Sequence, residues 1–118
     1  MKLELLGKLI HYSISAFKVS IGEEPYSSWE EATENHKNLC IGVAKKITED
    51  KDVSAKEIHD YWVEWAKTHA PYHSSIIDFD DLSSNDKIKD EIAISIIQAF
   101  TKYRNLENEL TNSDTSVE

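Results

Sequence analysis

Arginine is almost missing from this chain. Of its 13 basic residues 12 are lysines and Arg104 stands alone, against 22 acidic residues. A formal charge of −9 repels nucleic-acid backbones at long range unless the cations gather on one face, and these lysines are spread along the sequence. Groove binding to DNA is therefore not expected, and the acidic surface reads as a solubility feature. Glycine and proline are also scarce, three and two residues. Gly7, Gly22 and Gly42 are too scattered to build a phosphate-cradling loop. With 40% apolar residues, their rarity fits a folded helical chain, not a linker or a disordered segment. The single Cys40 cannot close an internal disulfide. It lies among Leu39, Ile41 and Val43, where a small, inert, buried thiol in a reducing compartment is the usual reading. Long apolar runs are absent too: Glu4, Lys8 and His11 interrupt the opening stretch before it reaches the length of a signal core or a membrane span. The expected location is the cytoplasm, with no membrane partner.

What is present has helical periodicity. Leu3, Leu6, Ile10, Ile14, Phe17 and Ile21 recur at threes and fours, a stripe on a first helix that should end near Gly22, with Pro25 beyond. Ser28 stands three residues before Glu31, the spacing of a capping box, with Trp29 opening a short helical turn. A second helix is expected from about 35 to 48, burying Leu39, Cys40, Val43, Ala44 and Ile47. Residues 48–53 form a charged loop. Ser54 and Glu57 repeat the capping spacing and start a third helix, with Ile58, Tyr61, Trp62, Trp65 and Ala66 on one face and Pro71 as its stop. Residues 72–82 have no period and should form an ordered loop anchored by Ile76, Ile77, Phe79 and Leu82. Ser83 or Ser84 caps a fourth helix whose expected apolar face is Ile88, Ile92, Ile96, Ala99, Phe100 and Tyr103, with Ile94 and Ile97 beside it. An arc that wide fits a central helix or one buried against a second copy. The reading is an all-α, single compact domain of four main helices over residues 1–106, with an ordered loop before the last helix. Residues 107–118 read as a polar, disordered tail. No internal repeat and no low-complexity tract is visible.

Catalytic signatures are weak. His59-Asp60 has the makeup of a divalent-metal pair, but a phosphohydrolase site of that kind needs further histidines and a second aspartate. His59, His69 and His73 could gather zinc on an unbroken helix, and Pro71 breaks it, so structural hydrogen bonding is the preferred role. Nucleophilic catalysis has no Gly-x-Ser-x-Gly elbow. The conspicuous feature is an aromatic concentration: Tyr61, Trp62, Trp65, Tyr72 and Phe79 fall together with His59, His69 and His73. Such faces can stack a planar ring, although tryptophans on an amphipathic helix more often fill a core.

Three blocks carry a family resemblance: Ile58-His59-Asp60-Tyr61-Trp62, then His73-Ser74-Ser75-Ile76-Ile77-Asp78-Phe79-Asp80-Asp81-Leu82, then Lys87-Ile88-Lys89-Asp90. In order and internal gaps they resemble the ryanodine-receptor-type (RyR) repeat domain. Its pattern is His-x-x-Trp, a His-Pro block ending in aromatic-x-x-Leu, and Lys-x-x-Asp opening the last helix. Upstream, Leu9-Ile10-His11, Ile21-Gly22 and Trp29-Glu30-Glu31 look like the start of small phage members, so the likeness covers about residues 9–100. Ser74 and Asp78 stand where that pattern has prolines, and the Gly-Trp-x-Tyr-Gly loop is shortened to the residues between Trp62 and His73. The resemblance implies a helical, non-catalytic domain that binds adenine-type nucleotides in an aromatic cleft. For a freestanding phage form it implies a sequestering protein for a host defence signal, acting in the host cytoplasm.

The resulting expectation is a non-catalytic binding protein for a small nucleotide-derived ligand, without a cofactor or a metal. Trp62, Trp65 and Tyr72 would stack the ring, His59 and His73 would make polar contacts, and Lys67, Lys87 and Lys89 would meet phosphate. A homodimer or higher homo-oligomer is compatible with this. The alternative is a module that docks a host or viral protein through its last helix, and a weaker one is the phosphohydrolase.

Overall fold

The polar residues that precede each apolar stripe start the helices. The computed structural model describes the backbone of residues 2–115 and the side chains of residues 3–102, and among these every regular element is helical. The chain is a single all-α domain of four main helices: α1 (Lys2–Ser20), α2 (Glu34–Glu49), α3 (Ala55–His69) and α4 (Ser84–Thr115). Tyr103 and the tail expected over 107–118 fall outside the fully described residues. Short 3-10 turns at Trp29–Glu31 and Phe79–Asp81 precede α2 and α4. Gly22 ends the first helical segment at φ +83°, a left-handed conformation that glycine adopts without a Cβ penalty.

Caps form as the spacing predicts. The Ser28 hydroxyl accepts from the Glu31 N–H at 3.3 Å, and the Ser54 hydroxyl accepts from the Glu57 N–H at 3.2 Å. In both pairs the serine hydroxyl also donates to the glutamate carboxylate. Each cap is worth about 1 kcal/mol. Thr33 caps α2 and Ser83 caps α4 in the same way. On α2 the five expected core residues, Leu39, Cys40, Val43, Ala44 and Ile47, are all buried, and they join Leu6, Ile10, Val53, Ile58, Ala93 and Ile97 in the interior.

On α4 the buried face is turned away from the expected one. Ala93 and Ile97 are its buried residues, Ile88 and Ala99 are exposed, and Ile94, Ile96 and Phe100 pack at the margin. Continued toward the start of α4, the inner face carries Asp86, Lys89 and Asp90, which line a cavity. A search for apolar residues passes over them.

A repeat that single-residue identity does not reveal is visible in the contacts. His11 on α1 donates from Nε2 to the carbonyl of Ser27, two residues before Trp29-Glu30-Glu31. His59 on α3 donates from Nε2 to the carbonyl of Ile77, two residues before Phe79-Asp80-Asp81. Lys37 lies over the Trp29 ring and Lys87 over the Phe79 ring, each at the same place after its helix cap. The two helical hairpins, α1–α2 and α3–α4, are therefore built to one plan. His36 and Cys40 in the first correspond to Asp86 and Asp90 in the second. No repeat is legible in the sequence because identity is confined to scattered positions such as His11/His59 and Lys37/Lys87, while Trp29, His36 and Cys40 answer to Phe79, Asp86 and Asp90.

Candidate functional site

Where the two hairpins meet they leave a cavity of about 350 Å³ with walls from all four helices. That volume lies within the range of small-molecule sites. Trp62 and Trp65 form the α3 wall, Tyr26 closes the first hairpin's side, and Ile10, Ile14 and Val43 supply apolar floor. Polar groups enter from both hairpins.

In the first hairpin, His11 is fully buried among Tyr12, Tyr26, Trp29 and His36, with Tyr26 stacked on it at 5.2 Å between ring centres. Its Nε2–H donates to Ser27 at 2.8 Å, so its Nδ1 is an acceptor and takes the Nε2–H of His36 at 2.9 Å. Burial, then the neighbouring His11, lower the pKa of His36 and favour its neutral ring. Cys40 Sγ lies 3.5 Å from His36 Nε2, and burial pushes its thiol up to about 12.

In the second hairpin, His59 is buried, donates to Ile77 at 2.6 Å, and stacks on Trp62 at 5.7 Å. Its Nδ1 faces Asp90 Oδ2 at 3.9 Å. Burial raises the Asp90 carboxyl to about 7, with Asp86 and Glu91 adding to the rise and Lys89 opposing it. Lys89 reaches Asp86 at 3.2 Å and Glu23 at 2.8 Å, and Lys18 reaches the same Glu23 oxygen at 3.6 Å. Burial alone would lower the pKa of Lys89, and its hydrogen bonds to Glu23 and Asp86 outweigh that and raise it. Two lysines from different hairpins, both lining the cavity, thus converge on one exposed carboxylate.

Five of the residues singled out in the sequence reach this cavity: His59, Trp62, Trp65, His73 and Lys89. His73 meets the edge of Trp62 at 4.9 Å, and its Nδ1 accepts from the Ser75 N–H. Three do not reach it. Tyr72 is 99% exposed because the turn after Pro71 carries it outward. Lys67 pairs with Glu64 on the solvent side of α3, and Lys87 lies over Phe79. The adjacent His59 and Asp60 also part company, one buried and the other exposed, so they do not share one ligand position. His69 is exposed and tilts against Trp65.

Sequence reasoning passed over His11, Lys18, Tyr26, His36, Cys40, Asp86 and Asp90 as site residues. Two signals could have found some of them. His36 and Cys40 sit one helical turn apart, and His11 follows Ile10 directly on an otherwise apolar stripe.

A family profile described as "Domain of unknown function (DUF7701)" matches residues 27–102, more than half of the chain. No curated protein and no solved structure matches it. No helix among the described residues is long and apolar enough to cross a membrane.

Proposed function

Starting from the chain's membership of the DUF7701 family, whose function is undescribed, we propose that this protein is a non-catalytic binding protein for a small nucleotide-derived ligand held in the cavity between the two hairpins. One observation carries the reading: Trp62 and Trp65 line the same cavity as Lys18 and Lys89, which converge on Glu23. A base stacks on the tryptophans, and a ligand phosphate replaces the Glu23 carboxylate between the two ammonium groups. An acidic chain needs such a local convergence to hold an anion. Asp90 and His59 supply hydrogen bonds to the base edge, with His73 at the rim. The RyR-type blocks around His59, Trp62 and Lys89 favour the same ligand class, and a phage protein that sequesters a host defence signal is the role this implies.

The test is a panel of adenine nucleotides, cyclic nucleotides and ADP-ribose derivatives, followed by thermal shift, with bound compounds identified by mass spectrometry. A ligand at a hundred times its Kd adds about 2.7 kcal/mol of stability, visible as a shift of several degrees. Trp62→Ala is expected to weaken that ligand at least tenfold while the far-UV circular dichroism is retained. Unchanged affinity in folded Trp62→Ala overturns the reading. A ligand returned cleaved points to an enzyme, and no shift across the panel points to a protein partner.

A further inference from the structure

The geometry points to a metal site in the wall of the same cavity, whose filling needs no nucleotide: His11, His36 and Cys40 form a binding site for a borderline-soft divalent metal ion, of which zinc is the model. One ligand atom from each lies within 4.8 Å of the others, the one such group of three among the described residues. His36 and Cys40 are one turn apart on α2, and their Nε2 and Sγ are 3.5 Å apart. In a tetrahedral site with metal–nitrogen bonds of about 2.0 Å and a metal–sulfur bond of about 2.3 Å, neighbouring ligand atoms stand about 3.3–3.6 Å apart. That edge is already formed. The His11–His36 edge, at 2.9 Å, must open by roughly half an ångström, which removes the hydrogen bond between the rings.

The surroundings of His11 are those of a metal ligand. Its remote nitrogen donates to a backbone carbonyl, the arrangement that fixes ring orientation and leaves the other nitrogen unprotonated, its lone pair given to the metal once His36 releases it. All three residues line the cavity, so three protein ligands leave a fourth position open toward it for a water or an oxygen donor. Imidazole and thiolate together select zinc over magnesium or calcium. On binding, the Cys40 S–H bond breaks, its proton leaves to buffer, and a sulfur–metal bond forms. His36 moves its proton from Nε2 to Nδ1, with no net change. The corresponding positions of the second hairpin are Asp86 and Asp90, so the imidazole–thiolate pair that selects a softer ion belongs to one half only.

The full chain, stripped with a chelator and returned to buffer without nucleotide, is titrated with Co2+ and then with Zn2+ against a chromophoric chelator. Expected is one ion per chain with a near-ultraviolet thiolate-to-cobalt absorption. Cys40→Ser abolishes that absorption and weakens Zn2+ at least tenfold. Should Cys40→Ser misfold, His36→Gln decides, since His36 is only half-buried and its loss weakens Zn2+ at least tenfold in a folded protein. The exposed His69→Ala variant binds as the parent does. The proposal is overturned by folded parent protein that shows no thiolate absorption in excess Co2+. Zn2+ binding unchanged in His36→Gln overturns it as well, because such binding would belong to exposed side chains.

Discussion

Asp90 keeps 17% of its side chain exposed, and of the groups around it Lys89 alone is a fixed cation, already shared with Asp86 and Glu23. His59 faces it from α3 at 3.9 Å, and Asp86 and Glu91 share its helix. Burial raises its pKa from 3.8 to about 7, so the folded protein holds a proton that the unfolded chain releases. The folded state therefore binds more protons between those values, and stability falls as pH rises through that window and stays lowered above about pH 7. At about 1.4 kcal/mol per pH unit the interval bounds the cost near 4 kcal/mol, and relaxation of the site brings it to about 1–3 kcal/mol. Asp90→Asn is expected to be close to the parent in urea unfolding at pH 4 and more stable by about 1–3 kcal/mol at pH 8. Parallel pH profiles for the two proteins would contradict the account. In the proposed function the same carboxyl would meet the base edge: protonated it donates to a ring nitrogen, and ionised it accepts from an exocyclic amine.

Between elements, the glycine held against another helix's backbone is Gly7, where a Cβ would stand 3.0 Å from the Ile41 side chain and 3.2 Å from its backbone nitrogen. A backbone nitrogen cannot swing aside. Gly7→Val is expected to push α1 from α2 and cost about 1–3 kcal/mol in urea unfolding, despite valine's better helix propensity. Stability equal to the parent would show that the helices separate without cost. Much at this scale was legible in the sequence. The α2 core, both capping boxes and the stop at Pro71 follow from period and local hydrogen bonding, which adjacent residues dictate. The α4 face was misread for a physical reason. A periodicity search equates the inner face with apolar residues, whereas α4 turns Asp86, Lys89 and Asp90 inward over the cavity and leaves Ile88 exposed. His59 was legible as a site residue from its aromatic surroundings. His11 read as an interruption because its partner, His36, becomes a neighbour only when α1 packs on α2, and Cys40 read as filler because its apolar neighbours hid the one-turn spacing from His36.

At the scale of the whole molecule, a net charge of −9 surrounds a cavity lined, among the described residues, by two lysines, Lys18 and Lys89. These act at opposite ranges. The overall field repels an anionic nucleotide at distances beyond the roughly 8–10 Å Debye length of ordinary buffers, while the lysines act only after entry. Salt should therefore speed association by screening the repulsion, and weaken retention by screening the lysines once Glu23 is displaced. For a nucleotide identified from the panel, the association rate is expected to rise several-fold between about 10 and 150 mM salt, with the dissociation rate rising as well. Stopped-flow quenching of the cavity tryptophans reads both. Lys89→Met should raise the dissociation rate about tenfold and leave the salt slope of association nearly unchanged, because removing one cation alters a field of −9 only slightly. An association rate that falls with salt would mean that the two lysines dominate the approach as well as the grip. The acidic surface would then play no part in selecting the ligand.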